Sequence, residues 1–560
     1  MLQVIVRKIV QFYESGNRWW LALLSGLMYP LALPPFNSEL HPAFTFFPLI
    51  SVVALIPLFF LVTRTPLKRA LFHTFLFSFS LCLGQFYWIG FVTADGLWIL
   101  IFVGMFLVSA AVALFYLCAA LMFRFFYFNV PRFSLLAFPA AWILIDYFRT
   151  LTDISFPWAF LGYSLTGFLP LAQLASITGV WGLTYLIVIG NMLIYELLKS
   201  YYTRGSLNRG NKLHFSAWAV IVLVASIWGW GRMGSELDGE GEVKVALLQS
   251  YMDQFNWTGN SIDTAFTVTE EMISETMAES KPDLMILPES ALLCYLERQL
   301  ERRRRVQKWV SQSGVPLVVG ALHWDEAQEG ESAGRRFNVY NSVFLVEPDE
   351  AELIPYHKIK LVPFSEAMPF EANFPILSRV NLGGAGFKRG KEETIFHIDD
   401  RINGAPFICY EIIYPGFVRN RLDETTNMLI NVTNDGWFGR SSGPFQHASM
   451  AQMRSIENGI SLARSANSGI SMNVDPHGRI LQKSPLYERV ILTGNLPLKR
   501  LPTLYSRFGD WVVVFSFLLV VSGVLGIFYT KVRSKNSSED CRDLKKPHNR
   551  KKTSENRVVR

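Results

Sequence analysis

Three short segments of the sequence contain residue types that together can perform acyl transfer. A carboxylate, Glu289, follows an apolar run and a proline, and a lysine pair, Lys358 and Lys360, lies in a strand-like stretch. A thiol, Cys409, follows a second apolar run and precedes a polar turn. A thiolate attacks an acyl carbon, a nearby carboxylate can act as the base, and an ammonium can stabilise the oxyanion that forms. The order Glu, Lys, Cys therefore predicts a nucleophilic thiol site.

Each segment also has an ordinary structural interpretation. A single buried cysteine is most often a small core residue, and a Pro-Glu pair after a strand is commonly a turn. Lys358 and Lys360 share one face of a strand, so the sequence leaves open which lysine enters a site and which is solvated. Cys294, close to Glu289 in the sequence, is predicted to be packed rather than catalytic. The nine histidines show no metal-binding spacing, and we predict no metal and no cofactor.

These residues lie in a polar region with an α/β rhythm, which runs from Val243 to about Pro497. Short apolar runs alternate there with longer stretches that have the pattern of surface helices. Roughly 250 residues is an ordinary size for one large α/β domain. The predicted strands are 243–248, 284–287, 315–322, 342–346, 406–409, 428–432, 470–474 and 490–494, and the predicted helices are 264–279, 297–311 and 446–467.

The whole chain is more apolar than a soluble protein. Hydrophobic residues make up 50% of it, only 18% is charged, and the mean hydropathy is +0.24, whereas soluble domains have about 25% charged residues. This composition excludes a disordered or collagen-like chain, and five cysteines in 560 residues exclude a disulfide framework. Because a membrane span needs about 20 apolar residues, we predict eight spans. They are 19–33, 44–62, 70–92, 97–123, 133–148, 174–195, 213–230 and 511–529.

Charged residues are unevenly distributed along the chain. Residues 1–230 carry 13 basic and 6 acidic side chains, residues 231–530 carry 29 and 36, and residues 531–560 carry 11 and 4. Because the basic excess lies at the two ends and not along the polar region, nucleic acid is excluded as a partner. Basic residues in short loops mark the cytoplasmic side, and their alternation predicts cytoplasmic termini with residues 231–510 on the outer side.

Two ionisable residues, Asp146 and Arg149, interrupt the apolar block near a predicted membrane boundary. Charged groups at such a depth are costly and are often functional. At the end of a span, however, snorkelling or mutual pairing explains them equally well. From the sequence, both a functional role and a simple ion pair are open interpretations.

Longer motifs connect the three segments with a known family. The surroundings of Glu289, Lys358 and Cys409 resemble the catalytic triad of the nitrilase superfamily. Further motifs resemble its membrane-anchored branch, the bacterial apolipoprotein N-acyltransferases. They are Leu361-Val-Pro-Phe-Ser-Glu366, Asn431-Val-Thr-Asn-Asp-Gly-Trp-Phe-Gly439, Gln446-His447 with Arg454 and, within the apolar block, Phe156-Pro-Trp-Ala-Phe-Leu-Gly-Tyr163 and Gly179-Val-Trp-Gly-Leu-Thr184. Free-standing nitrilases lack the last two, so the resemblance covers nearly the whole chain apart from its C-terminal tail.

The resemblance implies a fold and a domain arrangement. It implies an α/β nitrilase-like αββα sandwich attached to an α-helical polytopic membrane domain of about eight spans. The expected domains are a seven-span membrane domain at 1–230, a periplasmic catalytic domain at 231–500, one C-terminal span at 501–530 and a basic cytoplasmic tail at 531–560. The expected location is the cell inner membrane, with the catalytic domain in the periplasm and both termini in the cytoplasm.

The resemblance also implies a two-step acyl transfer. A fatty acyl chain from a membrane phospholipid, the donor, would pass to Cys409 as a thioester. It would then pass to the α-amino group of the N-terminal diacylglyceryl-cysteine of an apolipoprotein, the acceptor. Carried over by motif, the roles are Glu289 as the base, Lys358 as the oxyanion stabiliser, Cys409 as the nucleophile, Glu366 as support for the base, Tyr410 and Glu411 as residues that shape the nucleophile loop, and Trp257 and Trp437 as the lining of the lipid path.

Two other functions fit part of the sequence. A transporter or receptor with a ligand-binding outer domain predicts ionisable residues in the middle of the spans, and the spans are almost free of them. A membrane-tethered nitrilase-type hydrolase, with water as the acceptor, would use the same Glu289, Lys358 and Cys409. Only the motifs in the apolar block separate that hydrolase from the acyltransferase.

Overall fold

The N-terminal part of the chain folds into helices, as its apolar runs predict. The protein is described by a computed structural model, which covers residues 19–36, 48–92, 97–237, 241–252, 259–327, 336–371, 373–374 and 386–543. The helices of this membrane block are α1 (Trp19–Gly26), α2 (Ile56–Arg64), α3 (Leu67–Phe86), α4 (Trp98–Asn129), α5 (Pro131–Phe148), α6 (Leu169–Ala172), α7 (Ala175–Arg204) and α8 (Arg209–Met233). Large apolar side chains such as Leu107 and Trp230 are exposed on them, which is typical of helices that contact lipid.

Five helical segments within the described residues are long and apolar enough to cross a membrane. They are Leu67–Phe91, Trp98–Asn129, Ala175–Arg204, Arg209–Met233 and Trp511–Thr530. The runs predicted as spans at 19–33, 44–62 and 133–148 give shorter apolar helices of 10–17 residues. Because a helix rises about 1.5 Å per residue, these helices are shorter than the ~30 Å hydrocarbon core. The prediction of eight spans is therefore not confirmed, and length and composition support five.

Residues 242–497 form the domain that the α/β rhythm predicts, and this domain contains two sheets. The first sheet contains β1 (Glu242–Gln249), β2 (Leu284–Ile286), β3 (Leu292–Tyr295), β4 (Leu317–Glu326), β5 (Phe337–Val346), β6 (Ile354–His357) and β13 (Val490–Pro497). Its order is β13-β1-β2-β4-β5-β6, with β3 paired to β4. The second sheet contains β7 (Phe396–His397), β8 (Asn403–Ile408), β9 (Met428–Thr433), β10 (Ser461–Ala466), β11 (Met472–Val474) and β12 (Ile480–Lys483). Its order is β12-β11-β10-β9-β8-β7.

Alternate side chains of the strands face different layers of this domain. In β1, Val245 and Leu247 join the core between the sheets, whereas Ala246 and Leu248 join the core under α9 (Gly259–Glu279) and α10 (Leu300–Ser313). The helices on the other side of the second sheet are α11 (Pro415–Asn420) and α12 (Gly443–Asn458). The layers are therefore helix, sheet, sheet and helix, which confirms the predicted αββα sandwich.

Helix α12 lies between the second sheet and the membrane block. All of its residues except Phe445 are buried, because neighbours cover it on both sides. The prediction that this helix continues to residue 467 was wrong. The helix ends at Asn458 because Gly459 takes a left-handed conformation, with φ 66°, and Ser461–Ala466 then pairs in parallel with β9 as strand β10.

The side chain of Glu457, in α12, caps a helix of the membrane block. Within α7, Gly179 has φ 64° and ψ −176°, and a Cβ atom there would lie 2.6 Å from the Tyr505 ring. The helix therefore begins again at Val180, whose amide donates a hydrogen bond to Oε1 of Glu457 at 2.9 Å. The chain then returns to the membrane block through α13 (Leu504–Phe508) and α14 (Trp511–Asp543).

Candidate active site

The candidate nucleophile lies at a sharp turn where β8 ends. Cys409 has φ 49°, a left-handed conformation that is uncommon outside glycine, and it begins the 3-10 turn Cys409–Ile413. Such a conformation persists only where the surrounding structure holds it, and it is common at active sites. The residue is 9% exposed. The contacts around this turn therefore decide how the thiol is presented.

Glu411 ties the nucleophile turn to the segment that carries the lysine. Its side chain is completely buried, and its carboxylate collects donors from both segments. Its two oxygens accept hydrogen bonds from the amide of Ile408 (2.7 Å), the hydroxyl of Tyr356 (2.8 Å) and the amides of Ile359 (2.7 Å) and Lys360 (3.1 Å). Hydrogen bonds to a buried carboxylate are strong and specific in geometry. By binding amides on both segments, Glu411 brings Lys358 close to Cys409, although the two residues are far apart in the sequence.

Lys358 lies between two carboxylates that come from different segments. Its Nζ is 2.8 Å from Oε1 of Glu366 and 3.3 Å from Oε1 of Glu289. The side-chain amide of Asn341 in β5 donates to the same two oxygens, at 3.1 Å and 2.7 Å respectively. The second oxygen of Glu289 accepts a hydrogen bond from the amide of Asn434 at 2.8 Å. The structure thus brings Glu289, Lys358 and Glu366 together around the thiol.

The structure also decides between the two lysines. Lys358 is 1% exposed and lies in the site. Lys360 is half-buried, and its Nζ lies over the rings of Tyr414 and Phe417, 5.4 Å and 5.6 Å from the ring centroids. Strand β6 ends at His357, so the alternation that placed both lysines on one face does not continue through them.

Burial and neighbouring charges control the protonation of the nucleophile and the lysine. Burial raises the pKa of the Cys409 thiol, and the charge of the Glu289 carboxylate raises it further. Lys358 lowers this pKa, but by less than the other two raise it, so the pKa is raised overall. Burial alone would lower the pKa of Lys358, but the charges of Glu289 and Glu366 outweigh it and raise that pKa. At neutral pH the lysine is therefore a cation and the resting thiol is neutral. A neutral thiol needs a base as it attacks, and the prediction that Glu289 is this base is compatible with its electrostatic effect on the thiol.

A second buried network lies on the other side of the nucleophile. In α12, Nε2 of His447 is 3.2 Å from the carbonyl oxygen of Cys409, and Nδ1 is 2.8 Å from Asp435. Arg464 in β10 pairs with the other oxygen of Asp435 at 2.7 Å. Burial opposes ionisation of Asp435, but Arg464 and His447 outweigh it and lower its pKa to about 2. This network holds the backbone carbonyl of the nucleophile and also reaches its thiol, because the Asp435 charge raises the pKa of the thiol and a hydrogen bond with Thr433 lowers it.

Cys409, Asp435 and His447 also form a group of metal-ligating residue types. Among the residues that the structure describes, their donor atoms lie within 4.8 Å of one another. The Asp435 carboxylate is already shared by His447 and Arg464, and the adjacent guanidinium would repel a cation. We therefore interpret the group as a hydrogen-bonding network. That the site works without a metal or cofactor stays a prediction.

The remaining predicted site residues are placed differently. Tyr410 points to the membrane block, where its hydroxyl donates to the carbonyl of Ser155 at 2.8 Å. Trp437 is 39% exposed, in the short turn that also carries Asp435. Trp257 lies outside the described residues, so its place on the lipid path stays a prediction.

Two functional residues were missed by reasoning from the sequence. Asn341 bridges Glu289 and Glu366, but it lies just before the predicted strand 342–346 and beside other polar residues of β5, so no local signal singled it out. Arg464 stabilises Asp435, but the stretch that contains it was predicted as helix, which hid its position in a buried strand.

Comparisons with known proteins connect both parts of the chain to one family. Residues 25–193 match the apolipoprotein N-acyltransferase N-terminal domain, and residues 244–504 match the carbon-nitrogen hydrolase family. A Rhodopseudomonas palustris protein named apolipoprotein N-acyltransferase is 30% identical over 530 residues, which cover 90% of this chain and 94% of that protein. The chain belongs to the apolipoprotein N-acyltransferase family.

Other members of the apolipoprotein N-acyltransferase family match a shorter part of the chain. The Geobacter metallireducens member is 32% identical over 377 residues, covering 67% of this chain and 71% of that protein. The Bradyrhizobium diazoefficiens member is 33% identical over 388 residues, covering 67% and 70%. The resemblance that the motifs indicated is therefore confirmed, and so is the nitrilase-like fold. The roles of single residues in this family member stay predictions.

Proposed function

We propose that this chain transfers a fatty acyl chain from a membrane phospholipid to the α-amino group of the N-terminal diacylglyceryl-cysteine of an apolipoprotein, through a thioester on Cys409. Family membership supports the acceptor, and helices apolar enough to cross a membrane support access to lipid. The observation that carries the proposal is the position of the nucleophile. Cys409 interacts with Glu289 and Lys358, while the next residue, Tyr410, contacts the membrane block. Both lipid-anchored substrates can therefore meet the thiol at the membrane surface.

In the first step, Sγ of Cys409 attacks the ester carbonyl carbon of the phospholipid while Glu289 takes the thiol proton. Negative charge develops on the carbonyl oxygen, and the ammonium of Lys358 stabilises it. The ester C–O bond then breaks, and the leaving lysophospholipid oxygen takes the proton from Glu289. Cys409 is left as an acyl thioester and Glu289 as a carboxylate.

In the second step, the neutral α-amine of the acceptor attacks the thioester carbonyl carbon. The acceptor reaches this form because its ammonium group first releases one proton to water. Glu289 takes a second proton from the attacking amine, and Lys358 again stabilises the oxyanion. The C–S bond breaks, the leaving sulfur of Cys409 takes the proton from Glu289, and the product is an amide. Glu366, 2.8 Å from Nζ of Lys358, keeps that ammonium charged and oriented through both steps.

Mass spectrometry of the full-length protein incubated with phospholipid vesicles tests this function. We expect an acyl adduct on Cys409 that hydroxylamine removes and that a diacylated lipopeptide discharges with formation of an N-acylated product. The Cys409→Ala variant should carry no adduct, and a lipopeptide with an acetylated α-amino group should not discharge it. Discharge to water alone would reject the transferase and support the membrane-tethered hydrolase.

We also propose that the enzyme lies in the cell inner membrane with residues 231–500 in the periplasm and both ends, 1–18 and 531–560, in the cytoplasm. The concentration of Lys and Arg in alternate short connections of the membrane block supports this orientation. Because both ends lie on one side only if the number of crossings is even, the proposal includes the three shorter apolar helices, Trp19–Ala32, Pro48–Arg64 and Phe133–Phe148, as crossings beside the five longer ones. A reporter fused at Gly241 is expected to score as periplasmic and one at Lys535 as cytoplasmic. The reverse pattern would contradict the orientation without affecting the chemistry.

A further inference from the structure

A short segment of the membrane block connects a buried ion pair with the nucleophile turn. It comprises residues 155–159, and we call it the strap. All of its residues except Phe156 are buried. Ala159 has φ 46°, so the strap ends in a conformation that contacts must hold in place. Such a segment keeps its shape only while its partners on both sides are present.

Arg149 holds the strap from the membrane side. Its Nη1 pairs with Asp146 at 2.9 Å, and its Nη2 donates to the strap carbonyls of Phe156 at 3.0 Å and Trp158 at 3.4 Å. Asp146 is fixed in turn by the indole N–H of Trp142 at 3.0 Å. Arg149 is 4% exposed and Asp146 is 0% exposed. A planar guanidinium can bridge a carboxylate and two carbonyls at once, which a single ammonium cannot do in this geometry.

The opposite face of the strap contacts the residues around Cys409. These contacts are the Tyr410 hydroxyl donating to the Ser155 carbonyl (2.8 Å), the Trp158 indole donating to Oε1 of Gln446 (2.7 Å), and the Trp158 ring against the His447 ring (centroids 5.6 Å apart). Tyr410 follows Cys409 in the chain, and His447 contacts its carbonyl oxygen at 3.2 Å. The strap therefore reaches the nucleophile by two separate routes.

We propose that Arg149 is a positioning residue for the acyl transfer. With Asp146 it fixes the strap, and the strap holds the Cys409 turn in its left-handed conformation through Tyr410 and His447. This role rests on the proposed function, because it serves the same thiol. Arg149 acts only through other residues. The ion pair that the sequence left open as either functional or structural thus has a function that depends on the hydrogen bonds from Nη2 of Arg149 to the strap carbonyls.

The principal test is Arg149→Lys in the full-length protein reconstituted in phospholipid vesicles. Lysine keeps a charge opposite Asp146 but loses the donors to the strap carbonyls. We expect the single-turnover rate of thioester formation to fall about 10–100-fold, because a displacement of a reacting group, here the Cys409 thiol, by about 1 Å lowers a rate by this factor. The half-saturating donor concentration should change less than about threefold. The matched control is Lys199→Met, which removes another ion pair between residues three apart on a helix, Lys199–Glu196 at 3.1 Å on α7. Its rate of thioester formation should match that of the wild type.

A double-mutant cycle separates positioning from general stabilisation. Tyr410→Phe removes the hydroxyl that bonds to Ser155 of the strap. If Arg149 acts through the strap, both changes disrupt one chain of contacts, so their effects should not multiply. The fold-loss in the rate of thioester formation in the double variant should then be at least about threefold smaller than the product of the two single fold-losses. Multiplicative losses would mean that Arg149 stabilises the protein without positioning the thiol, and would overturn the proposal.

Alkylation of Cys409 by iodoacetamide reports on the thiol without any acyl transfer. We expect its pH profile to change in Arg149→Lys and to stay unchanged in Lys199→Met. A wild-type protein that is alkylated but never forms a thioester would contradict the proposed function alone. An unchanged alkylation profile in Arg149→Lys would contradict the positioning role alone.

A second strap variant covers the case in which Arg149→Lys does not fold. Trp158→Phe keeps the Asp146–Arg149 pair and removes the indole donor to Gln446. We expect the rate of thioester formation to fall about tenfold, again with little change in the half-saturating donor concentration. Wild-type rates and wild-type alkylation in this variant would refute the strap as the link to the nucleophile.

Discussion

Two buried ion clusters lie on different sides of the nucleophile turn, and they differ in charge balance. In the catalytic domain, the ammonium of Lys358 faces two carboxylates, Glu289 and Glu366, so the cluster has one excess negative charge. In the membrane block, Arg149 faces the single carboxylate of Asp146, and the pair is neutral. Both clusters are desolvated, which makes each ionic group costly unless its partners satisfy it.

The difference in charge balance corresponds to a difference in task. The charge of Glu289 raises the pKa of the Cys409 thiol and Lys358 lowers it. In the proposed mechanism, Glu289 then takes the thiol proton. The neutral pair takes no part in the proposed proton transfers. Arg149 instead donates hydrogen bonds to Asp146 and to backbone carbonyls. A buried cluster with unequal charges therefore suits proton transfer, whereas a balanced ion pair that also donates to fixed backbone carbonyls suits positioning.

The largest expected effect follows from removing the cation of the unequal cluster. Lys358→Met should lower the rate of thioester formation by about 10³-fold, because it removes the oxyanion stabiliser and leaves two facing carboxylates. It should also raise the pKa of the thiol further, since Lys358 lowers it in the wild type. The control is Lys360→Met, whose ammonium lies over aromatic rings outside the cluster, and the loss there should be far smaller. Equal losses in the two variants would contradict the assignment of Lys358.

Removing the proposed proton acceptor, Glu289, should change the reactivity of the Cys409 thiol and the rate of acyl transfer in opposite directions. Glu289→Gln should lower acyl transfer by about 10²-fold or more, because the base is lost. The same change should lower the pKa of the Cys409 thiol, since the Glu289 charge raises it. Iodoacetamide should therefore alkylate the variant faster than the wild type at pH 8. An exposed glutamate variant, Glu392→Gln, serves as the control, and slower alkylation of Glu289→Gln would count against the electrostatic account.

Breaking the balanced pair should affect stability. Asp146→Asn leaves a buried guanidinium without its counter-charge, which typically costs about 3–5 kcal/mol. Glu196→Gln disrupts a pair whose side chains are 30% and 23% exposed, and exposed pairs contribute about 0–1 kcal/mol. Thermal unfolding in detergent is expected to show a clearly larger loss for Asp146→Asn. The opposite ranking would mean that the Asp146–Arg149 pair is not the balanced cluster described above.

The smallest effect is expected outside both clusters and gives the background pH dependence of stability. Burial, then Arg232 and Arg479, lower the pKa of His477 from 6.5 to about 4. Between these two values the unfolded chain binds a proton that the folded chain does not, so stability falls as the pH is lowered through this window. In His477→Gln the unfolding temperature should fall less between pH 6.5 and pH 4. A residual slope is expected from His357, whose pKa is also lowered to about 4.

Parts of the fold were predictable because local patterns decide them. Apolar runs predicted the membrane block and the α/β domain, and the resemblance to the nitrilase superfamily implied the sandwich. The predicted strand 243–248 corresponds to β1, Glu242–Gln249. The predicted helix at 446–467 failed in its second half, since pairing with β9 outweighs helical periodicity after Gly459. The count of eight spans is not confirmed, because hydropathy does not distinguish a full span from a shorter apolar helix, and three of the predicted runs give shorter helices within the described residues.

By itself the sequence determined which groups are candidates for reaction, because Glu289, Lys358 and Cys409 each carry a distinctive chemical function in a recognisable local context. Only the tertiary structure decided which neighbours control them. Glu411 draws Lys358, and not Lys360, to the thiol, and the strap connects Arg149 to the turn at Cys409. The physical reason is that burial and hydrogen bonding depend on distances between segments far apart in the chain, which no local pattern contains.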